Sequence, residues 1–409
     1  MSSTESSPAI RIADPDRSSR IPVIPLLGAT AMVNMGFGGV FALLAELQDR
    51  FALPTWGLGV MIGSSFVVAL VSQLVLAKQA DRGHAKKLLL TGVLASVIGL
   101  AWMGLFATTL LEFTIARGVL SLGEGALMPA ARRIVVLRNP DAAGQQLGQL
   151  GSAAIAGFLV GSPAGAFMAS AWGTRAPFLI MAAGCAVFVP SLAGLSVPAG
   201  PVVDSTKGLM AKLARIPAVR AGIALTAAEY VSIGVFDSIW ARYLTDLGAG
   251  PVFIGVSLAM FAAPLAILSP FGGRLADRRG AFRVGVITLA LTVPCQALYG
   301  AFDSLILVTG IVLVHTVFEA IAVPATQAAV ADAAPAEAVA SGQGLAQSVG
   351  LAAAGLTALV APAGYGWLGA GWLFAGSAVA MVLLIGVAVL YSDRPTVVTP
   401  EPALAGAVL

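Results

Sequence analysis

Apolar residues in this chain come in runs of about 20, with most of the charged residues gathered between them. A run of that length is enough for a helix to cross the hydrocarbon core of a bilayer. The pattern predicts twelve spans, at roughly 22–47, 55–77, 87–108, 111–134, 144–169, 176–197, 218–244, 251–272, 282–302, 304–329, 340–362 and 369–391. The connections are short, except for a loop at about 198–217 that begins with Pro and Gly and then turns basic. This loop reads as the linker between an N-terminal bundle at 21–197 and a C-terminal bundle at 218–392. Its KGLMAKLAR segment has the pattern of a short amphipathic helix, though a solvated linker explains it equally well. Residues 1–20 are Ser-rich and lack a small-x-small cleavage site, so they read as a disordered cytoplasmic tail, not a signal peptide. Residues 393–409 read as a second tail.

Composition agrees with the pattern. The 409 residues are 58% hydrophobic and 11% charged, against about 25% charged in soluble domains, and the mean hydropathy is +0.92. The pI near 9.0 does not point to nucleic acid, because the basic residues are few and sit in loops. Cys185 and Cys295 lie in apolar runs and read as small buried hydrophobes. No cluster suits a metal, and no cofactor motif is present.

The loops carry the charge asymmetrically. With a cytoplasmic amino terminus, the inner segments hold Arg11, Arg17, Arg20; Lys78, Arg82, Lys86, Lys87; Arg132, Arg133, Arg138; Lys207, Lys212, Arg215, Arg220; Arg274, Arg278, Arg279, Arg283; and Arg394. That is 19 of the 23 Lys and Arg. The outer segments hold Arg50, Arg175 and Arg242, and Arg117 falls within a span. The positive-inside rule then puts both termini in the cytoplasm. The inner loop with Asp332 and Glu337 departs from the trend.

The two halves repeat each other at offsets of 195 to 198 residues. Gly39-Val40-Phe41 recurs as Gly234-Val235-Phe236, Gly59-Val60 as Gly255-Val256, and Ala80-Asp81-Arg82 as Ala276-Asp277-Arg278. Gly144-Gln145, Leu147 and Gln149 recur as Gly342-Gln343, Leu345 and Gln347. Glu124 precedes Pro129 by five residues, as Glu319 precedes Pro324. The fold class expected is therefore an all-α integral membrane protein, with twelve transmembrane helices in two pseudo-symmetric six-helix bundles. A substrate site is expected at mid-membrane between them.

Gly273-Arg274-Leu275-Ala276-Asp277-Arg278-Arg279-Gly280 resembles the cytoplasmic signature that the major facilitator superfamily carries between helices 8 and 9, and the resemblance to that family extends over essentially the whole chain. The resemblance makes Gly273, Asp277, Arg278 and Gly280 a conformational latch, in which the Asp caps a neighbouring helix and pairs with Arg. The first copy keeps Asp81 and Arg82 but has Ala77 and His84 where the signature has glycines. Two further stretches are similar to the drug:proton antiporter branch. Arg117 takes the place of its helix-4 arginine, and Gly157, Gly161, Pro163 and Gly165 resemble its helix-5 motif, with the proline one residue late. Trp172–Phe178 also looks like that branch. Gly123-Glu124-Gly125 occurs as well in organic-anion symporters of the superfamily, which keeps uptake open.

The resemblance makes helices 1, 4, 7 and 10 line the cavity, and the intramembrane polar groups fall on those helices. Asn34 is in helix 1, Glu124 in helix 4, Glu229 and Tyr230 in helix 7, and His315 and Glu319 in helix 10. A carboxylate in hydrocarbon is costly and faces a cavity or a partner. Glu124, Glu229, Glu319, His315 and Arg117 are thus the candidates for proton coupling. The alternative for Glu124 and Arg117 is a structural ion pair. His315 lies one turn before Glu319, so the two can meet and pass a proton. Phe37, Phe236, Asp237 and Trp240 complete the candidate cavity, with packing as the plainer reading of the aromatics and a gate as an equal reading of Asp237 with Arg242 and Tyr243. Glu46 and Glu112 sit at outer helix ends where solvation suffices.

The reading is a secondary active transporter, not an enzyme, since phosphate-binding and nucleophile motifs are missing and energy must come from a gradient. Its partners are a small-molecule substrate, protons and the bilayer, without nucleic acid. By analogy it is monomeric and multi-pass in a bacterial inner (plasma) membrane. Proton-coupled export of amphipathic or lipophilic compounds is the first expectation. Uptake of a metabolite, sugar or organic anion, and a non-transporting sensor, are the alternatives.

Overall fold

The computed structural model describes residues 23–138, 143–195, 197, 209–335 and 338–392. The expected terminal tails, most of the 198–217 linker and the Asp81 side chain lie outside the described residues. The helices are α1 (Val23–Arg50), α2 (Thr55–Gln79), α3 (Ala85–Leu105), α4 (Leu110–Arg138), α5 (Ala143–Trp172), α6 (Ala176–Ala193), α7 (Pro217–Asp246), α8 (Pro251–Arg279), α9 (Ala281–Leu298) and α10 (Leu305–Ala333). A final helical run, Val339–Ser392, breaks at Gly369 (φ +81°), which divides it into α11 (339–368) and α12 (370–392). No strand occurs among the described residues. Leu209–Leu213 forms a single short helix within the linker.

Ten described helices are long and apolar enough to cross a membrane, and one of these is the broken run Ser341–Ser392. α4 is not among them. It carries Glu112, Arg117, Glu124, Arg132, Arg133 and Arg138 in its 29 residues, so its place in the bundle depends on neighbours that enclose its charges.

Helix pairing repeats between the halves. α1 packs on α5, α2 and α3 on α4, and α3 on α6; correspondingly α7 packs on the α11–α12 run, α8 and α9 on α10, and α9 on the α11–α12 run. The repeated glycines explain the close pairs. A Cβ at Gly157 or Gly161 would strike the carbonyl of Ala31 or Met35, and one at Gly165 would lie 2.8 Å from the Gly39 Cα. The helix-5 motif is therefore the contact stripe of α5 on α1, three turns in register. In the other half a Cβ at Gly234 would strike Ala354 O of α11.

Two crossings join the halves, and they are symmetry mates. Gly59 on α2 meets the backbone of Ala358 and Leu359 on α11; Gly255 on α8 meets Ser162 and Pro163 on α5. At the same end Arg242 of α7 pairs with Asp49 of α1 at 2.5 Å, and with Asp246 at 2.5 Å. Tyr365 donates to Asp246 at 2.7 Å. Arg50 donates to Thr174 at 2.7 Å, which donates to Glu46 at 2.9 Å. The bundle is closed at this end. Toward the end with Arg132, Arg133 and Arg274–Arg283, here the basic end, Gln149 of α5 and Gln327 of α10 are exposed.

The structure corrects the expected loop at 273–280. Residues Gly273–Arg279 are the last turns of α8, and only Gly280 (φ +89°) turns the chain into α9. GRLADRR holds no proline, its one glycine costs a helix only about 1 kcal/mol, and Ala276 packs inward. α9 starts without a side-chain cap, so Asp277 does not cap it. In the first copy a wide π-type turn spans Ala80–His84, and the left-handed residue is Gly83 (φ +90°). The turn needs a glycine there, so Gly83, not the position of His84, corresponds to Gly280.

Replacing Gly157 with Leu forces α5 off α1 inside one half, and we expect a loss of about 1–3 kcal/mol, read as a lower unfolding midpoint in detergent. Gly255→Leu acts between the halves instead. It should leave the unfolding midpoint nearly unchanged while spin labels at residues 52 and 248 move apart, as measured by pulsed electron resonance.

Candidate functional site

α4 is positioned by the two glycines that flank Glu124. A Cβ at Gly123 would meet Ser96 and Gly92 of α3, and one at Gly125 would meet Ser72 of α2. Successive helical residues are turned by about 100°, so Glu124 occupies the face between the two contacts. It is half-buried. Arg117 is 1% exposed, and its guanidinium lies 4.5 Å from the ring centres of both Phe37 and Phe41, one α1 turn apart. This double cation–π contact replaces solvation for a buried charge. Arg117 Nε and Nη1 have no hydrogen-bond partner among the described residues. Its charge interacts with Glu124 of its own helix and with Asp237 of α7 in the other half.

The C-terminal half holds a second, enclosed group. Glu229 on α7 accepts a 2.8 Å hydrogen bond from the Thr326 hydroxyl on α10 and interacts electrostatically with Glu319. His315 Nε2 lies 3.7 Å from Glu319 Oε2, too long for a hydrogen bond. Both of those atoms lack a hydrogen-bond partner among the described residues. The other ring nitrogen, Nδ1, is 2.7 Å from the Tyr299 hydroxyl, and the two rings are nearly parallel at 16°. Tyr299 sits in the 3-10 turn after α9, and the Tyr243 hydroxyl donates to its carbonyl. Gly300, next to it, presses on the backbone of Ala370 and Gly371, where a Cβ would not fit. The turn at the α11–α12 break thus holds Tyr299 against His315.

The sequence-predicted residues separate by exposure. Asn34, Glu124, Tyr230 and Asp237 keep accessible surface. Asn34 donates to Thr30 O at 3.0 Å in its own helix, and the Tyr230 hydroxyl accepts from Gln347 at 2.5 Å. Glu229, His315, Glu319, Phe37, Phe236 and Trp240 are buried. Phe236 and Trp240 stack at 4.2 Å within the packing of Phe261 and Tyr299, and the Trp240 indole donates to Ser257. Asp277 and Arg278 form no ion pair or hydrogen bond among the described residues. Glu112 caps the start of α4, accepting from the Thr108 and Thr109 amides at 2.8 and 3.0 Å. Cys185 and Cys295 are free and buried, and no group of three or more metal-ligating residues occurs among the described residues.

Three residues of this site, Tyr299, Thr326 and Phe41, escape sequence reasoning. Tyr299 lies at a helix end and Thr326 in an ordinary apolar stretch, so only the folded arrangement gives them partners. Phe41 carried a signal, being in the repeated Gly-Val-Phe and one turn beyond Phe37.

The family model described as Major Facilitator Superfamily matches residues 26–223 and 222–407. The chain is 28% identical over 279 residues to the multidrug resistance protein MdtG of Proteus mirabilis, covering 66% of this chain and 68% of that protein. It is likewise 28% identical to MdtG of Klebsiella pneumoniae, covering 66% and 67%. Among solved structures, a bacterial homologue of the human lysosomal transporter Spinster, inward-facing and occupied, superimposes with a TM-score of 0.75 at 15% identity, covering 93% of this chain and 97% of that one. The nucleoside transporter NupG matches with a TM-score of 0.75 at 13% identity, covering 90% and 99%. These structures share the fold. With both halves matched by the family model and the helix pairing repeated between them, the chain belongs to the major facilitator superfamily and is a multi-pass membrane transporter.

Proposed function

We propose that this transporter exports small amphipathic or lipophilic compounds in exchange for protons, by alternating access. The observation that carries the reading is the division of the acids: Glu124 and Asp237 keep accessible surface, whereas Glu229 and Glu319 are enclosed with His315. The similarity to proteins named for multidrug resistance supports a drug-like cargo. The accessible acids favour cationic or neutral molecules, because unpaired carboxylates repel anions.

In the proposed cycle the enclosed group holds the proton and the accessible group meets the cargo. One proton shared among Glu229, Glu319 and His315 relieves the repulsion of two buried carboxylates. α7 joins the two groups. It carries Glu229 beside Tyr230, with Asp237 two turns further on. Loss of the proton changes what Glu229 asks of Thr326 and Glu319, and the strain passes along α7 to the residues facing the cargo. The latch residues Asp81, Arg82, Gly273, Asp277, Arg278 and Gly280 close the basic end in the opposite state. In this reading the basic end, both tails and the 198–217 linker are cytoplasmic, and a monomer works in the inner membrane of a bacterium.

A second reading, uptake of an anionic metabolite with protons, rests on the two unpartnered nitrogens of Arg117. It requires Phe37 and Phe41 to part, because they cover the guanidinium in this state.

The test separates binding from drive. Cells expressing Glu319→Gln should accumulate a cationic dye as if exporter were absent, with no further rise on adding a protonophore, while the purified variant binds that dye within about threefold of wild type. Glu124→Gln should lose dye binding itself. Wild-type export by Glu319→Gln, or accumulation of an anion above the level of cells without the protein, contradicts the export reading.

Tyr299→Phe leaves Nδ1 of His315 without its hydroxyl and frees the ring to take either tautomer. An unmet buried hydrogen bond costs about 1–3 kcal/mol, so proton-driven efflux should slow about tenfold with dye affinity unchanged. A parallel fall in affinity would show that Tyr299 acts on the packing instead.

A further inference from the structure

A cleft of about 400 Å³ opens at the basic end where α8 turns into α9, lined by Leu275, Arg279, Arg283, Val284, Ile287 and Thr288. It shares no residue with the acid groups described above. Arg279 and Arg283 are both exposed, and among the described residues neither makes a hydrogen bond or an ion pair. No acid lines the cleft. The Thr288 hydroxyl is engaged with Val284 O at 2.8 Å. Two cations thus share one cleft without a counter-charge.

The remaining walls are apolar and continue past the cleft. On α9, Ile287 (50% exposed) is followed one turn on by Leu291 (43%). On α8, Leu275 is preceded one turn back by Phe271 (54%), and one turn before that by Ile267 (73%). Exposed apolar rows on two membrane-spanning helices face the hydrocarbon, and the arginines stand where those rows end. A free anion would satisfy the arginines alone and make no use of the adjoining rows. A molecule with a phosphate at one end and alkyl chains at the other fits both.

We propose that this cleft binds the headgroup of an anionic phospholipid, with the phosphate held by Arg279 and Arg283 and an acyl chain lying along Ile287 and Leu291. Guanidinium groups bind phosphate through paired, charge-assisted hydrogen bonds. A basic pocket between transmembrane helices at the interface is suited to an acidic headgroup. Two uncompensated positive charges select against a zwitterionic headgroup, which brings no net negative charge.

The test uses the full-length protein in detergent, titrated with phosphatidylglycerol, phosphatidylcholine or sodium phosphate, with retained ligand counted by native mass spectrometry. Wild type should retain phosphatidylglycerol at least about tenfold more tightly than phosphatidylcholine. The double variant R279Q/R283Q should lose that preference, whereas R279K/R283K should keep most of it and guard against misfolding as the cause. Arg274→Gln, which removes an exposed arginine from the same end but outside the cleft, should behave as wild type. Undiminished phosphatidylglycerol retention in R279Q/R283Q overturns the proposal. So does an equal loss in Arg274→Gln, which would mean bulk attraction to the basic end. Displacement of the lipid by an equal concentration of sodium phosphate would mark a free-anion site and overturn the lipid assignment.

Discussion

The structure depends on backbone contact between helices at glycines that leave no room for a side chain. In a bilayer the lipid is as apolar as leucine, so helices gain little by hiding apolar surface from it. They associate through close packing and polar contacts. Gly59 and Gly255 make that contact between the halves, each against a carbonyl-bearing stretch of the partner helix. The two crossings are related by the internal repeat, so the halves meet through matching contacts. Asp49 and Arg242 add an ion pair between the halves at the same end, so that end is closed by charge as well as by backbone packing.

Buried charge is the second constraint, and each half meets it differently. The N-terminal half encloses Arg117 between two phenylalanines and turns Glu124 outward between two glycine contacts. The aromatic faces attract the cation without hydrogen bonds, which leaves Nε and Nη1 without a partner among the described residues. The C-terminal half encloses its acids instead, supporting Glu229 with a hydroxyl and lining up His315 between Tyr299 and Glu319. The two halves share an ancestral pattern in their backbones, and their polar chemistry has diverged on top of it.

The helical two-repeat fold was legible in the sequence, because hydrocarbon imposes length and apolarity on most of the helices and the repeat marks the rest, α4 included. The His315–Glu319 juxtaposition was legible too, since helical spacing alone brings them together. Partners contributed by other helices were not. Tyr299 is an ordinary aromatic at a helix end until the α11–α12 break packs against Gly300. Phe236 and Trp240 have the composition of a ligand wall, yet they stack on each other within the core. The helical continuation through Gly273–Arg279 was hidden by a motif that its family resemblance places in a loop, although a single glycine opposes a helix only weakly.

The division of acids bears on how exchange can be coupled. If cargo and proton competed for one carboxylate, both would need access to it in the same state. Glu124 and Asp237 satisfy that condition here. Glu229 and Glu319 do not, at 4% and 2% exposure. Direct competition therefore suits only the accessible pair, and in the proposed cycle the enclosed pair acts through the helices that hold it. α7 is the natural carrier, since it bears Glu229, Tyr230, Asp237 and Arg242 along one continuous helix. Through Arg242 it touches the closing contact at Asp49, and through Asp237 it reaches the charge of Arg117. In the proposed cycle, a change in the protonation of Glu229 reaches the proposed cargo-facing residues and the closed end along this helix, and no proton need pass through the cargo site.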